Sequence, residues 1–239
     1  MTPKISLVIP AHNEAEFLPG CLEAAVRAAA RVDAELEIIV VLNRCTDGTE
    51  EIAHQHGCVL VREDAKNLSR IRNAGAAVAT GEILVTCDAD SRMHPESLVE
   101  ILRRLESGRC VGGGAVVLPE RWSLGILASG LAISPYLAFT GVSFGIFWCY
   151  KRDFEEIGGF DERFVSVEDI DFAQRLKAHG RKTRRSWGTL VRAALVTSCR
   201  KFDQFGDWYL FRNPAFVRRV FRGDDRKAAN HFWYDVRSD

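Results

Sequence analysis

Residues Gly81 to Asp90 read GEILVTCDAD, in which Ile83 to Cys87 carry no charge and two carboxylates then arrive one residue apart. An unbroken apolar run of this kind suits a strand buried on both faces, as in a parallel sheet flanked by helices. Ligands bind such sheets outside the carboxyl ends of their strands. Asp88 and Asp90 therefore stand where a ligand would be met.

The same reading extends along the chain. Further apolar runs occur at ISLVIP, LEIIVVLN, CVLVR and GGGAVVL, and VSFGIFWCY also suits a strand through its aromatic and β-branched residues. Between them, Glu14 to Val32, Thr46 to His56, Ser69 to Ala79 and His94 to Glu106 read as helices. Alternation of this kind predicts a doubly wound, mostly parallel α/β sheet with helices on both faces. Polar residues converge from three strand ends: Pro10 to Glu14, Asn43 to Gly48, and Asp88 to Asp90.

Of the 239 residues, 47% are hydrophobic and 27% charged, values of an ordinary globular chain. The net charge of zero conceals an asymmetry. Residues 1–180 hold 18 Lys and Arg against 26 Asp and Glu, whereas residues 181–239 hold 14 against 6. Phosphate, an anionic lipid surface and the acidic remainder of the chain are all open as partners of that basic quarter. Seven scattered cysteines with no C-x-x-C pair argue against a disulfide framework or a zinc knuckle and for a reducing cytoplasm. The polar turn after MTPKISLVIP argues against a signal peptide. From Trp122 to Tyr150 no Asp, Glu, Lys or Arg occurs, but Pro135 and four glycines read against a bilayer span. An interfacial patch and plain packing against the sheet both stay open there.

Neither a dinucleotide fingerprint nor a P-loop is present, so another device must neutralise a phosphate. Asp88 and Asp90, as hard oxygen donors, suit Mg²⁺ or Mn²⁺ shared with substrate phosphates. Later, the acids Glu168, Asp169 and Asp171 open a helix. They read first as caps and dipole partners, while Asp169 at the rim would also serve as a general base. His54, His56 and His179 read as solvent-facing, Trp148 as core, and Gly158-Gly159 as a tight turn with positive φ.

Four ordered stretches, SLVIPAHNEAEFL, VVLNRCTDGTEEIA, NLSRIRNAGAAVATGEILVTCDADSRMHPESL and KRDFEEIGGFDERFVSVEDIDFAQRLKAHG, together resemble the inverting family 2 glycosyltransferases of GT-A fold. The resemblance runs from about Lys4 to Gly180. It implies one domain over residues 1–200, with a nucleotide-binding half (1–118) and an acceptor-binding half (119–200), then a basic, aromatic helical extension over 201–239. It further implies Pro10, His12, Glu14, Asn43, Arg72, Asn73 and Asp88 around the nucleotide, and Asp90 with Asp88 on the metal. Asp169 becomes the base, with Glu168 orienting the acceptor or the base.

Two departures shape the expectation. Leu42-Asn43 stands where many members carry an acid that reads uridine, so the donor nucleotide stays open. LVTSCRKFDQFG lacks the late histidine that some members give the metal, which leaves Arg200 and Lys201 as candidates to meet the diphosphate. The expected partners are a nucleotide-sugar donor and an acceptor hydroxyl, with a lipid-linked acceptor and peripheral contact at the inner membrane face in view and no nucleic acid. The alternatives are a sugar nucleotidyltransferase, for which the glycine- and lysine-rich loop is missing, and a silent nucleotide- or glycan-binding module.

Overall fold

In the computed structural model, which describes residues 2–164 and 167–213, one eight-stranded sheet carries helices on both faces. β1 (Lys4–Ala11), β2 (Glu35–Leu42), β3 (Val59–Arg62) and β4 (Ile83–Cys87) are linked by α1 (Leu18–Ala29), α2 (Thr49–Gln55) and α3 (Leu68–Val78). Then come β5 (Ser91–Arg92), α4 (Ser97–Glu106), β6 (Cys110–Pro119), α5 (Leu124–Thr140), β7 (Phe144–Tyr150) and α6 (Lys151–Glu156). α7 (Glu168–Lys182), β8 (Ser186–Thr197), α8 (Arg200–Phe205) and α9 (Tyr209–Arg212) complete the order.

The strands lie in the order β3-β2-β1-β4-β7-β6-β8-β5. β1 to β4 pair in parallel, as expected, but β7 enters between β4 and β6 antiparallel to both. The sheet is therefore mixed. An apolar strand sequence encodes burial and carries no sign of direction. β8, parallel to β6 on either side of an irregularity at residues 191–194, was not legible as a strand: Arg192 interrupts it and Val191 lies 65% exposed.

Successive side chains of β1 point to opposite faces, which explains the two cores. Ile5, Leu7 and Ile9 pack with Leu18, Leu22, Ile101 and Leu105 of α1 and α4. Val8 packs on the other face with Ile71 of α3 and with Phe147, Phe154, Phe160, Phe172 and Leu176. Phe160 and Phe172 stack at 4.2 Å between centroids, an arrangement worth about 0.5–1.5 kcal/mol beyond the area it buries. Trp148, as expected, is fully buried, and its indole N–H donates to the Gly114 carbonyl at 3.3 Å.

α3 sits unusually deep. A Cβ at Gly75 would come within 2.4 Å of Val8 Cγ1 and 2.8 Å of Val41 Cγ2, so the helix backbone rests directly on β1 and β2. Asn67 caps its start by accepting from the Arg70 N–H at 3.0 Å.

His179 departs from the expectation of a solvent-facing residue. It is half-buried, with Nε2 3.1 Å from Asp153 Oδ1, in a pair that Arg185 completes. A helical position alone does not say which face the rest of the chain covers. No helix among the described residues is long and apolar enough to cross a membrane. Of the expected C-terminal extension, α8 and α9 are described; residues 214–239 lie outside the described residues.

Candidate active site

The ends of β1 and β2 turn out into polar loops that are tied to one another and to the segment after β3. Asn13, with φ of 51°, accepts from the Thr46 N–H at 2.8 Å. Asp47 receives the Ala15 N–H on one oxygen and the Thr49 N–H on the other, which fixes the entry to α2. His12 Nδ1 lies 2.6 Å from the Asn43 carbonyl. The Asn43 amide donates to the carbonyls of Glu63 and Ala65, while its oxygen accepts from Arg44. Pro10 is buried beneath this loop layer.

Two guanidinium clusters form the rim. In the first, Arg72 reaches from α3 to three acids: Nη2 to Asp88 Oδ1 at 3.0 Å, and Nη1 to Glu168 Oε1 at 3.2 Å and Asp169 Oδ1 at 2.6 Å. Its side chain is only 3% exposed, and the Phe160 ring lies 5.1 Å from its guanidinium carbon. Arg72 Nε is buried with no hydrogen-bond partner among the described residues. Burial alone would lower the Arg72 pKa, but the charges of Asp169, Asp88 and Glu168 outweigh it and hold the group above its ordinary value.

The acids respond in the opposite way. Burial, then the neighbouring Asp169 charge, pushes Glu168 up to about 7. Burial likewise raises Asp169 despite the opposing pull of Arg72. Both residues open α7, directly after Val167, whose φ of 61° is a left-handed conformation that a β-branched side chain resists. Strain of this kind, about 1–3 kcal/mol, tends to gather at functional sites.

In the second cluster, Arg200 at the start of α8 clasps Glu14 with two bonds of 3.0 Å and touches Asp90 Oδ2 at 3.2 Å. Phe17 lies 4.8 Å beneath this guanidinium. Ser198 adds a bond from its hydroxyl to Asp90 Oδ2 at 3.3 Å and one from its N–H to the Asp90 carbonyl at 3.0 Å. Glu14 is 2% exposed, so the pair is largely withdrawn from water.

Among the residues expected at the site, Arg72, Asp88, Glu168 and Asp169 thus meet at one point, and Glu14, Asp90 and Arg200 at a second. Asn73 sits apart. It clasps the Phe160 backbone, donating to its carbonyl and accepting from its N–H, each at 2.9 Å. That clasp holds the Gly158-Gly159 turn, whose φ values of 78° and 65° match the positive φ expected there. Lys201 is half-buried on α8 beside Arg200. Sequence reasoning missed Phe17 and Phe160 under the two guanidiniums, because a contact across 88 or 183 residues leaves no local signal.

The donor set fits a divalent ion shared with a diphosphate. Five carboxylates meet only two guanidiniums across the two clusters, a negative surplus that would repel a nucleoside diphosphate unless a cation enters. Asp88 and Asp90 offer hard oxygens from one loop, enough for an ion that takes the rest of its shell from substrate and water. Among the described residues, no group of three or more acidic, histidine or cysteine ligands is placed to cage an ion without substrate.

Comparison with known proteins identifies the family of the chain. The family described as glycosyl transferase family 2 matches residues 6–138, over half of the chain, and the N-terminal domain of galactosyltransferase matches residues 132–195. Glycosyltransferase AglE of Haloferax volcanii is 33% identical over 191 residues, covering 72% of this chain and 61% of its own. An undecaprenyl-phosphate 4-deoxy-4-formamido-L-arabinose transferase of Photorhabdus laumondii is 29% identical over 157 residues, covering 62% of this chain and 48% of its own. The chain therefore spans about half to three-fifths of the length of these relatives.

Among solved structures, the mannosyltransferase PcManGT of Pyrobaculum calidifontis, in complex with GDP-Man and Mn²⁺, superposes with a TM-score of 0.65 at 20% identity, covering 82% of this chain and 57% of its own. TarS 1–349 of S. aureus gives 0.64 at 15% identity, covering 90% and 64%. At such identities the likeness speaks for the fold, which is that of GT-A glycosyltransferases. With the family model matching over half of the chain and AglE 33% identical over 72% of it, the chain belongs to glycosyltransferase family 2.

Proposed function

We propose that the chain moves a sugar from a nucleotide-sugar donor to an acceptor hydroxyl by one displacement that inverts the anomeric centre. The observation that carries this reading is the Arg72 cluster, in which a single guanidinium holds Asp88 from the β4 end beside Glu168 and Asp169 from the α7 start.

Asp169 is the base. Its side chain keeps 30% of its surface, so an acceptor can approach, and its raised pKa makes it a better proton acceptor than an ordinary carboxylate. As the acceptor oxygen bonds to the anomeric carbon, its proton passes to the Asp169 carboxylate. The bond from that carbon to the diphosphate breaks on the opposite face, and its electron pair leaves with the nucleotide. Glu168, nearly buried beside it, orients the base through their shared hold on Arg72. A divalent cation, Mn²⁺ or Mg²⁺, when bound by Asp90 and Asp88, supplies charge neutralisation of the departing diphosphate. Pro10, His12, Glu14 and Asn43 line the nucleoside side, and Arg200 with Lys201 faces the diphosphate.

The acceptor in this reading is lipid-linked and met at the inner face of a membrane, as part of cell-envelope or glycolipid synthesis. Trp122, Leu124 and Leu131 are 64–77% exposed on and just before α5, a helix without a charged residue. α9 packs against α5 and adds the exposed Trp208 and Phe211. A patch of this composition suits an interfacial surface. The name of the undecaprenyl-phosphate transferase from P. laumondii supports the same acceptor class.

Asp169→Asn tests the assignment. Transfer from the donor is expected to fall by a factor of about 10² or more while nucleotide still binds. Undiminished turnover would refute the base. Thermal shifts with UDP, GDP, dTDP and CMP in the presence of Mn²⁺ identify the donor nucleotide, since a ligand of the native state raises the melting temperature. A shift with none of them would remove the support for a nucleotide-sugar enzyme.

A further inference from the structure

Arg200 holds Asp90 by the same carboxylate that the proposed function gives to a divalent cation. One guanidinium edge carries two parallel bonds to Glu14, and Nη2 also reaches Asp90 Oδ2, on which the Ser198 hydroxyl converges as well. The Glu14 carboxylate is 2% exposed, against 24% for the Arg200 side chain and 17% for Asp90. The anchor is therefore the better shielded bond and the Asp90 contact the weaker one. With the charges of Glu14 and Asp90 outweighing the cost of burial, Arg200 keeps its proton at any ordinary pH.

We propose that Arg200 is an internal rival of the divalent cation for Asp90, so that the site binds metal weakly by itself and takes it up together with a diphosphate. The inference rests on the proposed function, in that it assumes a metal at Asp90. While no other anion is present, the guanidinium neutralises Asp90 and lowers its appeal to a cation. A diphosphate gives the same guanidinium a second anionic partner of matching geometry. Arg200 then turns from Asp90 toward the diphosphate while the Glu14 anchor stays made, and Asp90 is freed. Metal and diphosphate thus favour each other through a residue of the chain as well as through direct contact, and the coupling is reciprocal. A lysine would serve less well, because its ammonium lacks the flat fork that holds Glu14 by two parallel bonds while the same guanidinium reaches Asp90.

The test is Mn²⁺ affinity, read by calorimetry or by electron paramagnetic resonance of the free ion, for the whole chain with and without UDP or GDP. Without nucleotide, Arg200→Ala is expected to bind Mn²⁺ more tightly than the wild type by about ten- to a hundredfold, the size of one charge-assisted contact. The gain in Mn²⁺ affinity on adding nucleotide is expected to be smaller in the variant. Arg200→Lys keeps the charge and loses the fork, and should also bind Mn²⁺ alone more tightly; it carries the test if the alanine variant fails to fold. Glu14→Gln shifts Arg200 onto Asp90 and should act in the opposite direction.

Equal Mn²⁺ affinity in wild type and Arg200→Ala overturns the rivalry and leaves the proposed function standing. An Arg200→Lys variant that matches the wild type while only the alanine variant tightens also overturns it, since general charge then explains the effect. No Mn²⁺ binding to the wild type, even with nucleotide, overturns both this inference and the metal role at Asp90.

Discussion

Arg72 and Asp169 meet at 2.6 Å, although one residue belongs to α3 and the other lies in the first turn of α7, 97 residues later. The shared guanidinium keeps Asp169 in register with Asp88, so in the proposed function the base and the donor side are aligned by one buried cation. That arrangement makes Arg72 a structural and a functional residue at once.

Removing the cation leaves three crowded carboxylates. Arg72→Met is expected to lose about 3 kcal/mol of stability at neutral pH, at the low end for a broken buried pair because Asp88 stays 41% exposed. Part of the loss should return at lower pH, where Glu168 and Asp169, both raised by burial, protonate and cease to repel. Thermal melts at pH 5 and pH 8 check this; a loss that is the same at both would show that packing, not charge, is at work.

Glu168 should make stability depend on pH in a definite direction. Its pKa rises from 4.5 in the unfolded chain to about 7 in the fold, so the native state binds the proton more tightly. Its contribution is full below pH 4.5 and is lost as the pH climbs through about 7. The melting temperature of the wild type relative to Glu168→Gln should fall across that window. A difference that stays flat would mean that Glu168 is ionised throughout.

Gly75 sets the depth of α3 and hence the reach of Arg72. Gly75→Ala places a methyl group where Val8 and Val41 already stand, and overpacking of this kind costs about 1–3 kcal/mol. Because α3 must shift outward, nucleotide affinity should weaken in the folded fraction as well. Calorimetric titration with the stabilising nucleotide measures it, and an unchanged affinity would separate Gly75 from the site.

The exposed apolar patch on α5 should mediate membrane contact. A Trp122→Ser, Leu124→Ser, Leu131→Ser variant is expected to co-sediment with anionic vesicles less than the wild type, with its melting temperature unchanged. All three positions are exposed, so substitution there leaves the core intact. Equal sedimentation would assign membrane contact elsewhere or nowhere.

Much of the fold was legible because its first four strands are apolar runs that end in polar turns. β1, β2 and β4 fall where ISLVIP, LEIIVVLN and EILVTC predict them, within a few residues. α1 and α4 came out shorter than read, since the segment from Glu14 to Phe17 and the one from His94 to Glu96 serve as connections first, whereas α3 keeps its length. The direction of β7 and the existence of β8 were not legible: both depend on partners 30 to 80 residues away, and β8 alternates between buried and exposed positions without a clean apolar run.

At the candidate site, Asp88, Asp90 and Asp169 could be singled out because strand ends in such a sheet face a ligand-binding rim and helix starts favour acids. Arg72 showed itself in sequence only as a residue near a nucleotide. Its burial follows from the close seat of the helix at Gly75, which no local pattern reports.

The place of β7 also bears on how the chain is made. β4, an apolar strand of Ile-Leu-Val-Thr-Cys, has no partner on its far edge until residues 144–150 leave the ribosome. For that interval a nascent chain carries a sticky open edge in what later becomes the middle of the sheet, a hazard for pairing with another copy. Truncations that stop short of Tyr150 are therefore expected to aggregate, and the smallest fragment able to stay monomeric must include the strand that closes the gap.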